Sequence, residues 1–401
     1  MKNLLLTFVL FFALIKFSFA QKKAAIDVKK QFEIAAKQYE GMLASHPDTT
    51  QFPQSTKPDG SINNRKSNWW CSGFFGGSLW YLFEFTGDKK WKDAAHKWTM
   101  AVQNEKNNTK THDLGFMMYC PFGNGYRLTK NPEYLEPMLT GANSLSTRFN
   151  PAYGLIKSWD HNICGYPVII DNMMNLEYLF WATKQSKDKK FYDIAITHAD
   201  NTMKNHFRSD YSSFHVVCYE PGPTVFRKQT HQGAADSSAW ARGQAWALYG
   251  YTMMYRETKD KKYLAQAEGI AKFIMNHPNL PKDKVPYWDF NAPNIPNEER
   301  DASAGALFAS SLLELSTYST KNRKTYFDFA EQVLVSLSSD DYMAKVGENN
   351  NFILMHSVGN KPSKSEINTP IVYADYYYLE ALLRYQQLMK YQQLKNEKAK
   401  K

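Results

Sequence analysis

Thr86-Gly87-Asp88-Lys89-Lys90-Trp91 returns along the chain with small changes. The later copies are Thr129-Lys130-Asn131-Pro132-Glu133-Tyr134, Ser186-Lys187-Asp188-Lys189-Lys190-Phe191 and Thr258-Lys259-Asp260-Lys261-Lys262-Tyr263. A looser one is Thr320-Lys321-Asn322-Arg323-Lys324-Thr325-Tyr326. Each places Asp or Asn where a side-chain oxygen caps the first free N–H groups of a helix, then polar residues, then an aromatic ring that turns inward. Pro132 falls at the first helical position, where a missing N–H does no harm. Apolar residues recur at helical spacing on both sides, as in Leu79, Leu82 and Phe83 before the first turn and Trp91, Ala94, Ala95 and Trp98 after it. The repeat therefore predicts pairs of antiparallel helices joined by tight corners.

Five such hairpins are legible, with leading helices starting near 72, 113, 171, 237 and 301 and trailing helices ending near 106, 147, 206, 275 and 338. Helices over 26–45 and 371–391 supply a sixth pair. Stacked hairpins bury a continuous core only against their neighbours, and a closed ring leaves no open end. The expectation is an all-α (α/α)6 toroid, one domain over residues 21–394, followed by a frayed basic tail, 395–401. The long connections 46–71, 107–112, 148–170, 207–236, 276–300 and 339–370 share one side and carry Trp, His, Gly and Pro. Long loops gathered on one face of a rigid scaffold mark the binding face.

Residues 1–20 have a charged start, an apolar run from Leu4 to Ile15 and Ala20 before Gln21. This reads as a secretory leader and predicts an exported, periplasmic or secreted protein. No later apolar run is long enough to span a membrane, so no insertion is expected after the leader is removed. The formal charge is +10, or +8 without Lys2 and Lys16, which favours an acidic partner. The lysines are spread over many turns and no nucleic-acid module is present, so an anionic glycan is favoured over nucleic acid. An aromatic content of 15% suits stacking on sugar rings. Cys71, Cys120, Cys164 and Cys218 show no C-x-x-C spacing and are expected as buried free thiols. His112, His161, His215 and His231 lie in loop-face segments without H-E-x-x-H or H-x-H spacing, so no metal is expected. The chain is expected to act as a monomer.

Three aspartates stand where a loop becomes a leading helix: Asp113, Asp171 and Asp236. Asp236 reads as a helix cap. Asp171 differs, because Pro167-Val168-Ile169-Ile170 approaches it and would desolvate it, raising its pKa. A ring brings the helix starts at 113 and 171 side by side, and two carboxyls in unlike environments can divide acid and base work. Trp70, Trp159, Trp240 and Trp246 fall on the same face. Arg242 and Trp246 are four residues apart on one helix face, an arrangement suited to a ring that carries a carboxylate. The alternative is a buried arginine satisfied within the core.

Six segments together resemble the unsaturated glucuronyl hydrolases of glycoside hydrolase family 88. They are Trp70-Cys71-Ser72-Gly73-Phe74, His112-Asp113-Leu114-Gly115-Phe116, Ile170-Asp171-Asn172-Met173-Met174-Asn175, Phe214-His215-Val216-Val217, His231-Gln232-Gly233 and Trp240-Ala241-Arg242-Gly243-Gln244-Ala245-Trp246. Asp301-Ala302-Ser303-Ala304 and His356-Ser357-Val358-Gly359-Asn360-Lys361-Pro362 extend the likeness. The resemblance implies the same toroid and an anionic unsaturated oligosaccharide as substrate, with no metal or organic cofactor. It implies Asp171 as general acid/base, Asp113 as its partner carboxylate, and His215, Gln232, Arg242 and Trp246 as residues that hold the unsaturated sugar. Trp70, Trp159 and Trp240 are expected around it. Ser363, Lys364 and Ser365 lie where some members hold a sulfate on the neighbouring sugar. A rhamnogalacturonyl-type or conventional inverting hydrolase on the same ring, and a non-catalytic exported glycan-binding protein, are the alternative readings.

Overall fold

The computed structural model describes residues 25–160, 163–220, 222 and 224–399; the expected leader and His161 lie outside them. The helices follow the repeat: α1 (Val28–Ser45), α2 (Ser72–Thr86), α3 (Lys89–Ala101), α4 (Asn124–Thr129) and α5 (Leu135–Ser146). Then come α6 (Leu176–Ser186), α7 (Lys189–Asn205), α8 (Ala241–Thr258), α9 (Lys261–Asn276), α10 (Ala302–Tyr318), α11 (Arg323–Leu337) and α12 (Val372–Ala399). The inner ring is closed: α12 packs on α2, α2 on a π-helical turn (Gly115–Gly123) that runs into α4, and that turn on a 3-10 turn (Ile170–Asn175) that runs into α6. The 3-10 turn packs on α8, α8 on α10, and α10 returns to α12. The outer helices α1, α3, α5, α7, α9 and α11 back this ring, completing the (α/α)6 toroid.

The corners behave as the repeat predicts. Asp88, Asn131, Asp188 and Asp260 each accept the backbone N–H two residues on, at 2.9–3.1 Å. Asn322, in the loosest copy, makes no such bond. The inner helices α2, α4, α6 and α8 end in the left-handed region, at Gly87 (φ 70°), Lys130, Lys187 and Lys259, whereas α10 ends extended at Ser319. Only Gly87 occupies it without cost, since it has no Cβ. Inner helices sit between neighbours on every side, so α8 is buried at every residue from Ala241 to Met254. Outer helices bury one stripe, as α3 does with Trp91, Ala95, Trp98 and Thr99.

Four expectations are corrected. The helix starts at 113 and 171 are not regular: Pro121 lies inside the π turn, and side-chain bonds from Asn172 to Ile156 O and Ser158 Oγ (2.8 and 2.9 Å) pin the 3-10 turn. Asp236 caps no helix; Ala241 N–H donates to Trp288 O and Phe290 N–H to Ala239 O, so 239–240 is extended against 288–290 and α8 starts five residues later. The expected tail is not separate from the helix before it: residues 395–399 continue α12, which runs to Ala399. Cys164 and Cys218 are not free thiols but form a disulfide, with Cα atoms 6.0 Å apart. Only Cys71 and Cys120 are free and buried.

The long loops fold into small antiparallel ribbons that the helical periodicity did not reveal. They are β1 (Phe52–Thr56) with β2 (Ile62–Arg65), β3 (Phe149–Asn150) with β4 (Leu155–Ile156), and β8 (Ser357–Asn360) with β9 (Ser365–Thr369). A three-stranded sheet orders β5 (Tyr166–Ile169), β6 (Val216–Tyr219) and β7 (Val225–Gln229). The disulfide ties the segment before β5 to β6.

Candidate active site

A cavity of about 450 Å³ opens where the inner helices begin. Trp70 precedes α2, His112 and Asp113 precede the π turn, Asp171 lies in the 3-10 turn, and Arg242 and Tyr373 sit in the first turns of α8 and α12. The inner helices thus direct their N-terminal, partly positive ends toward one space, which favours an anion there. A second cavity, about 480 Å³, opens at the opposite end of the ring, between Glu177, Tyr249, Arg256, Glu380 and Arg384.

Asp171 is held without being satisfied. Its Oδ2 is buried with no hydrogen-bond partner and lies 3.9 Å from His215 Nε2. His215 immediately precedes β6, and its carbonyl accepts Ile170 N–H at 3.0 Å, which locks the two segments together. His215 Nδ1 accepts the N–H groups of His231 and Gln232 at 3.1 and 3.2 Å. Those donors leave the ring proton on Nε2, facing the carboxyl. Burial holds the imidazole well below its ordinary pKa, so it is neutral. Burial likewise pushes Asp171 up to about 7; Asp113 pushes the same way and Arg242 opposes them.

Asp113 has a parallel but polar surround. Its Oδ2 accepts the Thr111 hydroxyl at 2.6 Å, and its Oδ1 lies 3.2 Å from His112 Nε2. His112 Nδ1 faces the Asn175 amide N–H₂ at 3.2 Å, which again leaves the proton on Nε2. Asn175 Oδ1 accepts Gly115 N–H at 2.9 Å, so one amide couples the two aspartate-bearing segments. A Cβ on Gly115 would lie 2.6 Å from that oxygen, which is why the position carries none.

The Arg242 fork is already occupied. It pairs with Asp301 at 3.0 Å and donates to the carbonyls of Val358 and Gly359. Asp301 also caps α10 through Ser303 N–H at 3.1 Å, so the pair joins α8, α10 and β8. Only Nε of Arg242 is left without a partner. Gln232 lines the cavity and also donates to Gly359 O, at 2.9 Å. The Arg242 guanidinium lies over Trp240, 4.5 Å from the ring centroid. Trp246 is fully buried among Phe116 and Tyr377 and is not on the cavity wall, which corrects its expected contact with a sugar. Trp240 and His215 are also behind the wall, their rings tilted against each other with centroids 4.4 Å apart.

Trp70, Trp159, Ser363 and Ser365 do line the cavity. Lys364 is exposed and off the wall, contrary to expectation. Sequence reasoning missed Arg65, Trp69, Thr111, Glu366 and Tyr373, all on the wall. Arg65 belongs to β2 and Glu366 to β9, and ribbon pairing has no helical signature. Among the described residues, no group of three or more His, Cys, Asp or Glu is placed to hold a metal, and no helix is long and apolar enough to cross a membrane.

The family model for Glycosyl Hydrolase Family 88 matches residues 44–388. The chain belongs to that family, among its unsaturated glucuronyl hydrolases. An unsaturated glucuronyl hydrolase from Formosa agariphila is 48% identical over 373 residues, 92% of this chain and 93% of the relative. An unsaturated chondroitin disaccharide hydrolase from Streptococcus agalactiae is 32% identical, covering 79% of this chain and 81% of the relative. A solved unsaturated glucuronyl hydrolase specific for heparin superposes with a TM-score of 0.89 at 51% identity, over 90% of this chain and 98% of that one. An Asp-to-Asn mutant of the Streptococcus agalactiae enzyme, solved complexed with dGlcA-GalNAc6S, superposes with a TM-score of 0.78 at 29% identity, over 89% of this chain and 91% of that one. The chain is a glycoside hydrolase of this type.

Proposed function

We propose that this hydrolase removes the 4,5-unsaturated uronic acid from the non-reducing end of lyase-generated oligosaccharides, of glycosaminoglycan or ulvan type, by hydrating the C4=C5 bond. That bond is a vinyl ether through the ring oxygen. Asp171 donates its proton to C4, and the resulting cation is shared between C5 and the ring oxygen. The Asp171 carboxylate then takes a proton from the water that adds at C5. The C5 hemiketal opens, and the neighbouring sugar leaves from C1 as the product rearranges. This differs from direct attack at the anomeric carbon in ordinary glycoside hydrolysis.

The observation that carries the reading is the unpartnered, buried Asp171 Oδ2, whose carboxyl is raised to about 7, so that it stays protonated at neutral pH yet ionises easily. Asp113 lines the same cavity as the partner carboxyl, and His215 restrains Asp171 without itself carrying charge. The C5 carboxylate lies toward Arg242, whose Nε–H and the nearby Tyr373 hydroxyl have no protein partner. Trp70 and Trp159 wall the sugar. The relative solved with dGlcA-GalNAc6S supports a substrate of this class. The Cys164–Cys218 bond supports export, because disulfides persist in oxidising compartments.

The test is ultraviolet absorbance of the conjugated carboxylate, with purified protein and disaccharides made by lyases from heparin, chondroitin, hyaluronan and ulvan. Loss of absorbance is expected with at least one. No loss with any, in a folded sample, sinks the reading.

A further inference from the structure

The cavity wall holds fewer available cations than an anionic substrate suggests. Arg242 is paired with Asp301. Lys361, beside the wall, is bound by Glu298 and Glu299. Lys364 is exposed and is not among the residues of the wall. Arg65 remains, its Nε donating to Gln54 Oε1 at 3.1 Å. Against these stand Asp113 and a further carboxylate, Glu366.

Glu366 is built into place. Gln54 Nε2 and Ser55 Oγ both donate to its Oε1, at 2.5 and 2.7 Å, from β1 across the ribbon. Its backbone adopts φ 54°, a left-handed conformation that a non-glycine residue rarely takes and that gathers at functional sites. Among the described residues no cation forms an ion pair with it, and its charge is felt by Arg242, Tyr373 and Cys71 around the cavity. A carboxylate fixed through one oxygen leaves the other to accept a hydrogen bond from a ligand.

We propose that Glu366 sets substrate choice: it accepts hydroxyl or amine hydrogens from the sugar joined to the unsaturated ring and turns away a sulfate ester on that sugar. The inference rests on the hydrolase reading above. The single carboxylate of the unsaturated ring is matched by Arg242 and the helix ends. A second anion beside Glu366 meets like charge, and among the described residues that line the cavity there is no lysine to offset it.

The experiment compares three lyase-generated disaccharides: one with an N-acetylated, unsulfated hexosamine, and its 6-O-sulfated and N-sulfated counterparts. Wild type is expected to lose on the order of tenfold in kcat/KM on at least one sulfated form, chiefly through KM. Glu366→Gln keeps the shape and removes the charge, and should narrow that gap several-fold. Glu366→Lys should close or invert it. Equal turnover of all three by wild type overturns the inference, as does an unchanged ratio in both variants while turnover persists. Absence of turnover on all three, in folded protein, removes the hydrolase reading and this inference with it.

Discussion

Asp171 and Asp375 are both buried aspartates pushed up to about 7 by loss of solvent, yet their surroundings differ in kind. Asp375, in the first turn of α12, accepts Ile353 and Leu354 N–H at 2.9 Å each, and the Tyr39 hydroxyl stands 3.4 Å away. Asp171 has an oxygen with no partner at all and borders a cavity. A raised pKa alone does not mark a working acid; a raised pKa on a group left unsatisfied, beside a space that a substrate fills, does.

The largest contrast is in turnover. Asp171→Asn is expected to fold and to lose about 10²–10⁴-fold in kcat on the best unsaturated disaccharide, the usual contribution of one general acid/base. A loss of only a few-fold would erase the distinction from Asp375. Next, Cys164→Ser with Cys218→Ser frees the segment before β5 from β6, the strand that follows His215. It should cost about 2–4 kcal/mol in denaturant unfolding. Asp375→Asn should cost about 1–3 kcal/mol, because one of two backbone N–H groups then faces an amide N–H₂. Its kcat per folded molecule should match wild type.

The smallest effect is in pH. Under the proposed function Asp171 is the acid, so kcat/KM should fall about tenfold per unit as pH rises past about 7. Stability has the same sign for both residues. Each folded-state value, about 7, exceeds the ordinary 3.8, so the folded chain binds more protons between these values and loses stability as pH rises through that window. Asp171→Asn should therefore be more stable than wild type above pH 7, by at most a few kcal/mol, and equal to it near pH 4. Asp375→Asn should show its full cost near pH 4 and a smaller one above pH 7.

The ring was legible because its turns repeat and its capping Asp and Asn residues act locally, within two residues of the N–H they bind. Asp113 and Asp171 were legible because each sits at the start of an inner segment, and the ring places such starts together. What the sequence hid depends on contacts across long separations. The Arg242–Asp301 pair spans 59 residues and Gln54–Glu366 spans 312. The Cys164–Cys218 bond spans 54, and nothing in its spacing marks it. Trp246 misled because a tryptophan on a helix start looks the same from either side of a wall.

The cavity has a floor. Trp70 stands edge-on to Phe74 and Phe116, Phe116 lies against Trp246, and Trp246 meets Tyr377 edge-on, with ring centroids 5.1–6.0 Å apart. No polysaccharide can thread a ring stopped in this way. Under the proposed function, only a terminus enters, gives up one residue and withdraws. Throughput then follows how many ends the preceding lyases create, not how much polymer is present, and a long chain is worth no more to this enzyme than a short one.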